Sequence, residues 1–241
     1  MAEDWEFYLK PVDDHPASIF VDLGQKEIAP DASRPWLLRV SVALQSRRDD
    51  GLSDRDEADV LNAIEDKLFV AVARGLRARY VGRITTQGRR EHFYYGPSAA
   101  GFPEAVATAM GKFPLYEFTC RDEEDREWTT YSEVLHPDAL ERQSIQNRRV
   151  VNQLAREGDD LTEPREVDHW AYFPSEEARD RFLLQIAGNR FRSEPCPAEA
   201  PEGRLQYGVH LRRSDRVDFE TIDAIAIDLF LRAADCEGEY D

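Results

Sequence analysis

The chain has 241 residues, of which 41% are hydrophobic and 33% charged, a balance typical of a folded globular protein rather than a disordered one. Its net charge of −17 disfavours direct binding to nucleic acid, because phosphate contacts require clustered lysines and arginines. No apolar run is long enough to span a bilayer, and the N-terminal MAEDWEFYLK lacks the apolar core of a secretory signal, so a cytoplasmic location is expected.

The first half of the chain alternates between strand and helix patterns. We predict strands at 5–9, 18–23 and 36–45, a helix from 53 to a stop at Gly75, a hairpin of strands at 79–86 and 90–95, a helix at 102–112 and a strand at 115–120. One apolar stripe with helical spacing runs along the first helix: Leu61, Ile64, Leu68 and Val72. Gln87-Gly88 forms the predicted hairpin turn. From residue 36 the order is β-α-β-β-α-β, as in ferredoxin-like folds.

The second half repeats this order after a charged connector, predicted to be irregular, at 121–136. The predicted elements are a helix at 137–157, a strand at 167–173, a helix capped by Ser175, a short strand at 190–193, a loop marked by Pro195, Pro197 and Pro201, a strand at 205–212, a helix ending near Gly238 and a last strand at 239–241. We therefore predict an α+β protein of two tandem ferredoxin-like domains with antiparallel sheets, at residues 1–136 and 137–241.

Catalytic motifs are not evident in the sequence. There is no phosphate-binding loop, dinucleotide fingerprint or nucleophile elbow, and the three cysteines and five histidines do not show the spacing of a metal site. We expect no cofactor and no metal. The arginines 83, 89 and 90 precede the aromatic run 92–95, a combination that some sheets use to stack RNA bases, but the acidic background favours core packing with solvated arginines.

The segment EPREVDHWAYFP at 163–174 raises the question of a catalytic relay. Adjacent side chains of a strand point to opposite faces, so Asp168 and His169 cannot touch each other. His169 shares the apolar face, whereas Asp168 shares its face with Trp170 and Tyr172. A cross-strand contact with His210 remains open. We favour a structural histidine, and for the two aromatic residues either a binding patch or burial between domains.

Residues 147–241 carry a family resemblance. The pieces involved are a helix, Gly158-Asp159-Asp160, Pro164-Arg165, the strand at 167–173, Ser175 as helix cap and Gly-Glu-Tyr-Asp at 238–241. In this order they resemble the B-type regulator of ribonuclease E activity, a bacterial inhibitor protein. The earlier part, from WEFYLKPVDDHP to RREHFYYGP, is similar to a bacterial family of unknown function often fused to that regulator.

The resemblance implies a non-enzymatic protein that binds an endoribonuclease and lowers its activity, with a ferredoxin-like fold. From residue 158 onward the chain has 20 acids and 10 arginines, which suits a basic segment of such a partner. The residues that we expect to contact it are Arg165, Asp168, His169, Trp170, Tyr172, Glu239 and Tyr240. Two alternatives remain: an uncharacterised enzyme that uses Asp168, His169 and His210 or Arg165, and a homo-oligomeric module joined through its aromatic sheet face.

Overall fold

The computed structural model describes residues 3–46, 48–197 and 205–241. The chain divides into two compact units, residues 1–141 and 142–241, and each contains helices and an antiparallel sheet. The mixed α+β class with antiparallel sheets is confirmed. Within the described ranges, no helix has the length and apolar character needed to cross a membrane.

The elements follow one another in this order: β1 (Trp5–Val12), β2 (His15–Asp22), β3 (Trp36–Ala43), α1 (Ala58–Leu68), β4 (Arg79–Thr86), β5 (Arg89–Gly96), α2 (Phe102–Met110), β6 (Phe118–Glu124), α3 (Ala139–Arg156), β7 (Arg165–Phe173), α4 (Glu176–Ile186), β8 (Arg192–Pro197), β9 (Tyr207–Asp215), α5 (Phe219–Asp235) and β10 (Glu239–Tyr240). Two π-helices, Phe69–Arg74 and Thr130–Leu135, lie between these elements.

The first unit contains a six-stranded sheet in the order β1-β2-β4-β5-β3-β6. Its first hairpin is longer than predicted, because the polar stretch at 11–17 holds only a two-residue turn. Asp13 and Asp14 have φ of 50° and 63°, the left-handed pair that joins twisted strands tightly. The turn predicted at Gln87-Gly88 is confirmed, with φ of 50° and 73°.

Helices α1 and α2 cover one face of this sheet. The stripe predicted on the first helix is buried as expected, although the helix changes to π geometry at Phe69 before it ends at Gly75. Beneath α1 lies a polar cluster that the sequence did not reveal. Arg90 and His92 are buried there, so the expectation of solvated arginines is wrong for Arg90, whose guanidinium donates to the Thr85 hydroxyl at 3.0 Å.

The charged segment at 121–136 is not an irregular connector. Strand β6 runs through it as far as Glu124, and the π-helix Thr130–Leu135 packs on the other face of the sheet. Trp128 is fully buried and stacks on Tyr95 with 4.0 Å between ring centroids. The Tyr131 hydroxyl donates to the Asp22 carbonyl at 3.0 Å. Both faces of the first sheet are therefore partly covered.

The second unit contains a four-stranded sheet in the order β10-β7-β9-β8. Helices α4 and α5 cover one face and share its apolar core. The predicted cap is present, since the Ser175 hydroxyl accepts from the Ala178 N–H at 3.2 Å. The break predicted at Pro195 is wrong: β8 extends to Pro197, because an edge strand tolerates residues without an N–H group. Pro201 lies outside the described residues.

Candidate partner-binding surface

Strand β7 separates two kinds of side chain onto its two faces. Val167, His169, Ala171 and Phe173 lie toward the helices, whereas the alternate residues from Glu166 to Tyr172 lie on the opposite face. We call that opposite face of the four-stranded sheet the open face, because α4 and α5 pack on the other side. Trp170 is 37% exposed on it. The alternation is the consequence of burying only one side of a pleated strand.

Asp168 contacts a histidine, but the partner is His210 rather than His169. Trp170 and Asp168 stand opposite His210 and Arg212 in the register of β7 and β9. The His210 Nε2 lies 2.5 Å from the Asp168 Oδ1, and the Arg212 Nε lies 3.1 Å from the same oxygen. The cross-strand neighbour left open by the sequence is therefore present on the open face.

His210 supports the exposed indole of Trp170. The two rings are parallel within 2° and their centroids are 4.7 Å apart. The His210 Nδ1 also lies 3.2 Å from the Arg212 Nη2, so both ring nitrogens have a partner. The hydrogen bonds of the imidazole and its stacking on the indole hold the two rings in one orientation.

Carboxylates surround the exposed indole. Glu239 stands opposite Tyr172 in the register of β10 and β7, and Glu194 stands opposite His210 in that of β8 and β9. Arg212 partly compensates these charges, with its Nη2 3.7 Å from the Glu194 Oε2. The open face thus presents an aromatic centre with a rim in which carboxylates outnumber arginines, and we call it the acidic rim. Its members are Glu166, Asp168, Glu194 and Glu239, together with Arg192 and Arg212, which pair with the first three.

His169 and Tyr240 lie on the helix-covered face and contact each other. The Tyr240 hydroxyl is 2.7 Å from the His169 Nδ1, and His169 is only 2% exposed. Burial lowers the pKa of His169 from 6.5 to about 4 and raises the pKa of the Tyr240 hydroxyl. The expectation that His169 contacts a partner is corrected, because its side chain is buried and attaches β7 to β10 through Tyr240 instead. Tyr240 is only partly buried, and its contact with a partner stays a prediction.

Arg165 has a structural role at the start of β7. Its guanidinium contacts both carboxylate oxygens of Asp159 and donates to the Asp160 carbonyl at 3.0 Å. The same contact lowers the pKa of Asp159. The Gly158-Asp159-Asp160 turn and Pro164-Arg165 belong together because they form this bidentate pair.

A groove of about 540 Å³ lies beside β7, next to α3. Strand β10 pairs with Ala171 and Tyr172 of the nine-residue β7, and the following Asp241 exchanges backbone hydrogen bonds with Trp170. In the part of the chain that the structure describes, no strand pairs with the remainder of this edge. Apolar side chains of α3 and β7 line the groove, among them Val150, Leu154 and Val167. This groove was not predicted from the sequence, although Val151 and Leu154 lie on one face of α3.

Comparison with known proteins assigns a family to each unit. Residues 3–136, more than half of the chain, match the model of a family of unknown function, DUF695. The chain belongs to this family. Residues 144–241 match the family model "Regulator of ribonuclease activity B". Both resemblances inferred from the sequence, and their order, are confirmed. The DUF695 unit is hereafter residues 1–141, and the regulator unit is residues 142–241.

No curated protein matches the chain. Among solved structures, the "Crystal Structure of an Unknown Protein from Galdieria sulphuraria" is 12% identical, with 86% of this chain and 96% of that chain covered and a TM-score of 0.23, too low to indicate a shared fold. The regulator family is a regulatory and non-catalytic one. Among the described residues of the DUF695 and regulator units, no group of His, Cys, Asp and Glu can hold a metal ion.

Proposed function

We propose that this protein binds and inhibits ribonuclease E or a related endoribonuclease through the open face of its regulator unit, without catalysis of its own and without direct contact to RNA. The observation that carries the proposal is the exposed Trp170 indole, stacked on His210 and surrounded by carboxylates. The contacting residues are Asp168, Trp170, Tyr172 and Glu239.

The layout of the open face supports a basic protein partner. Aromatic anchors at the centre of an interface contribute most of its binding energy, and Trp170 is held in one orientation, which lowers the entropy lost on binding. The acidic rim attracts lysines and arginines of a partner segment and accelerates its approach. The match to the family model "Regulator of ribonuclease activity B" supports a nuclease as the partner.

We also propose that both units are ferredoxin-like domains of a cytoplasmic protein, divided at residues 136 and 137. The strand orders β4-β5-β3-β6 and β10-β7-β9-β8 support the first part, because each is the order that a β-α-β-β-α-β unit of this fold adopts. The bonds from Ser144 and Asn147 of α3 to Asp223 of α5, at 3.0 and 2.8 Å, support placing α3 in the second domain.

The proposal is tested by measuring RNA cleavage by purified ribonuclease E with increasing amounts of the full chain. Wild-type protein should inhibit, and Trp170→Ala should need at least about tenfold more protein, since loss of an aromatic anchor costs about 2 kcal/mol or more. Leu184→Ala is the matched control, because Leu184 is an exposed apolar residue of α4 on the other side of the unit. It should inhibit like the wild type.

Salt gives a second measurement on the same samples. Raising the ionic strength from about 0.05 M to about 0.5 M should weaken inhibition, because screening shortens the reach of the acidic rim. Absence of binding at low salt, or an equal loss for Trp170→Ala and Leu184→Ala, would refute the open face as the docking surface.

A further inference from the structure

We infer that the DUF695 unit contains a binding site for a small organic phosphate of nucleoside monophosphate size. A cavity of about 550 Å³ opens between the start of β1, the turn after β2, the π-helix Phe69–Arg74 and the start of β4. This volume lies in the range of small-molecule sites. Its walls combine aromatic and guanidinium groups: Trp5, Phe69, Tyr80, Arg34, Arg74, Arg77 and Arg79.

The charge of this cavity is opposite to that of the protein. Four arginines line it in a chain of net charge −17, together with two carboxylates, Glu3 and Asp22. Both carboxylates are already engaged. Asp22 is buried and accepts from two backbone N–H groups and from the Gln25 amide, and Glu3 accepts from the Trp5 indole at 3.1 Å. These donors are neutral, so both carboxylates keep their charge, and Asp31 pairs with Arg34. Four arginines against three carboxylates still leave the cavity an excess positive charge for an anion.

Two of the arginines are held in place before any ligand arrives. The Arg79 Nη1 donates to the Gln25 Oε1 at 2.9 Å. Arg34 pairs with Asp31, and its carbonyl accepts from the Trp128 indole at 3.0 Å. The Arg34 Nε is buried and has no hydrogen-bond partner among the described residues. A buried donor without a partner costs free energy, so it calls for a ligand or a solvent molecule.

The other two arginines lie on backbone of unusual geometry. Arg74 ends the π-helix, with its guanidinium 5.5 Å from the centre of the Phe69 ring. Single turns of π-helix occur frequently at functional sites. Arg77 has a left-handed φ of 55°, which is uncommon for a residue with a Cβ atom. Within the described ranges, neither arginine has an acidic partner at ion-pair distance.

These features together define the class of ligand. Guanidinium groups bind phosphate oxygens in pairs, and a phosphate monoester carries close to two negative charges at neutral pH. Trp5 and Phe69 pack around the buried Tyr80 and are themselves only partly buried. Their remaining surface in the cavity suits a ligand with a planar or apolar body, because aromatic side chains favour contact with bases. A nucleoside monophosphate meets both requirements, whereas inorganic phosphate meets only the first.

Isothermal titration of the full chain tests the inference with AMP, GMP, CMP and UMP, and with inorganic phosphate and adenosine as partial ligands. At least one monophosphate should bind at least tenfold more tightly than either partial ligand. The double variant Arg74→Gln/Arg77→Asn should lose at least tenfold in affinity, and Asn keeps the left-handed conformation accessible at position 77.

The control variant also removes two arginine charges from the DUF695 unit, but outside the cavity. Arg89→Gln/Arg121→Asn lies in a polar depression of about 310 Å³ that lacks aromatic walls, and it should bind like the wild type. Photo-crosslinking of an azido-AMP to the wild-type chain, with the labelled peptides mapped by mass spectrometry, answers without any variant. Labelling outside the cavity, no binding at millimolar concentration, phosphate binding as tightly as the nucleotides, or an equal loss in both double variants would each overturn the inference.

Discussion

His169, which is buried and contacts the partly buried Tyr240, should make the regulator unit sensitive to mild acid. The imidazole of His169 has a pKa of about 4 in the folded chain because burial among apolar side chains disfavours its charged form. In the unfolded chain the same group titrates near 6.5. Between these two values the unfolded state binds more protons, so the free energy of unfolding falls as the pH falls through this window.

The magnitude follows from the two pKa values. Their difference predicts that the free energy of unfolding of the regulator unit falls by about 3 kcal/mol once the pH is below both pKa values. At pH 5.5 the predicted loss is about 1 kcal/mol. Above pH 6.5 the contribution of neutral His169 is fully present. The His169→Phe variant should not show this pH dependence, but at neutral pH it should be less stable by about 1–3 kcal/mol, because the Tyr240 hydroxyl stays buried without its partner.

Hydrogen exchange of the peptides from β7 and β10 is the suitable assay, because it reports on the regulator unit alone. The DUF695 unit contains its own buried histidine, His92, whose pKa is also lowered by burial, so a whole-chain melting curve would mix the two. The double variant His169→Phe/Tyr240→Phe should recover part of the stability at neutral pH. A His169→Phe variant that keeps the wild-type dependence on pH would refute the reasoning.

Three further predictions concern single contacts. Trp128→Ala should destabilise the DUF695 unit by about 3–5 kcal/mol in urea denaturation, because it empties a fully buried site; a midpoint near that of the wild type would contradict this. Gly238→Ala should detach β10 and accelerate exchange at Tyr172, since the new Cβ would collide with the Phe173 ring; unchanged exchange would contradict it. Asp223→Ala should destabilise the packing of α3 by about 1–2 kcal/mol, because two side-chain hydrogen bonds are lost. Hydrogen exchange of the α3 peptides measures this effect, and unchanged protection of these peptides would refute the prediction.

The elements with one buried face were predictable from the sequence. The alternation in β7 places His169 with Ala171 and Phe173, and the structure confirms that order of faces. The apolar stripe of α1 was equally clear. In both cases the apolar residues recur with the period of the strand or the helix, so the local sequence pattern predicts which face is buried in the folded protein.

Other features depended on residues far apart in the chain. His169 and Tyr240 are 71 positions apart, and no local pattern announces their contact. The segment at 121–136 did contain a signal, since Trp128, Tyr131 and Leu135 have helical spacing. The charged residues that precede them made the whole segment look like an irregular connector. They belong in part to β6, an edge strand, and edge strands tolerate exposed charge.

The two units show how one strand order can lead to different surfaces. In the DUF695 unit, the π-helix Thr130–Leu135 and Trp128 pack on the sheet face opposite α1 and α2, and Trp128 is fully buried there. In the regulator unit, α4 and α5 pack on one face of the sheet, and Trp170 is exposed on the other face beside Asp168. The order of strands therefore does not determine the activity. What distinguishes the units is whether the aromatic side chain on the second face is covered by a segment of the same unit, as Tyr95 is by Trp128, or is exposed, as Trp170 is.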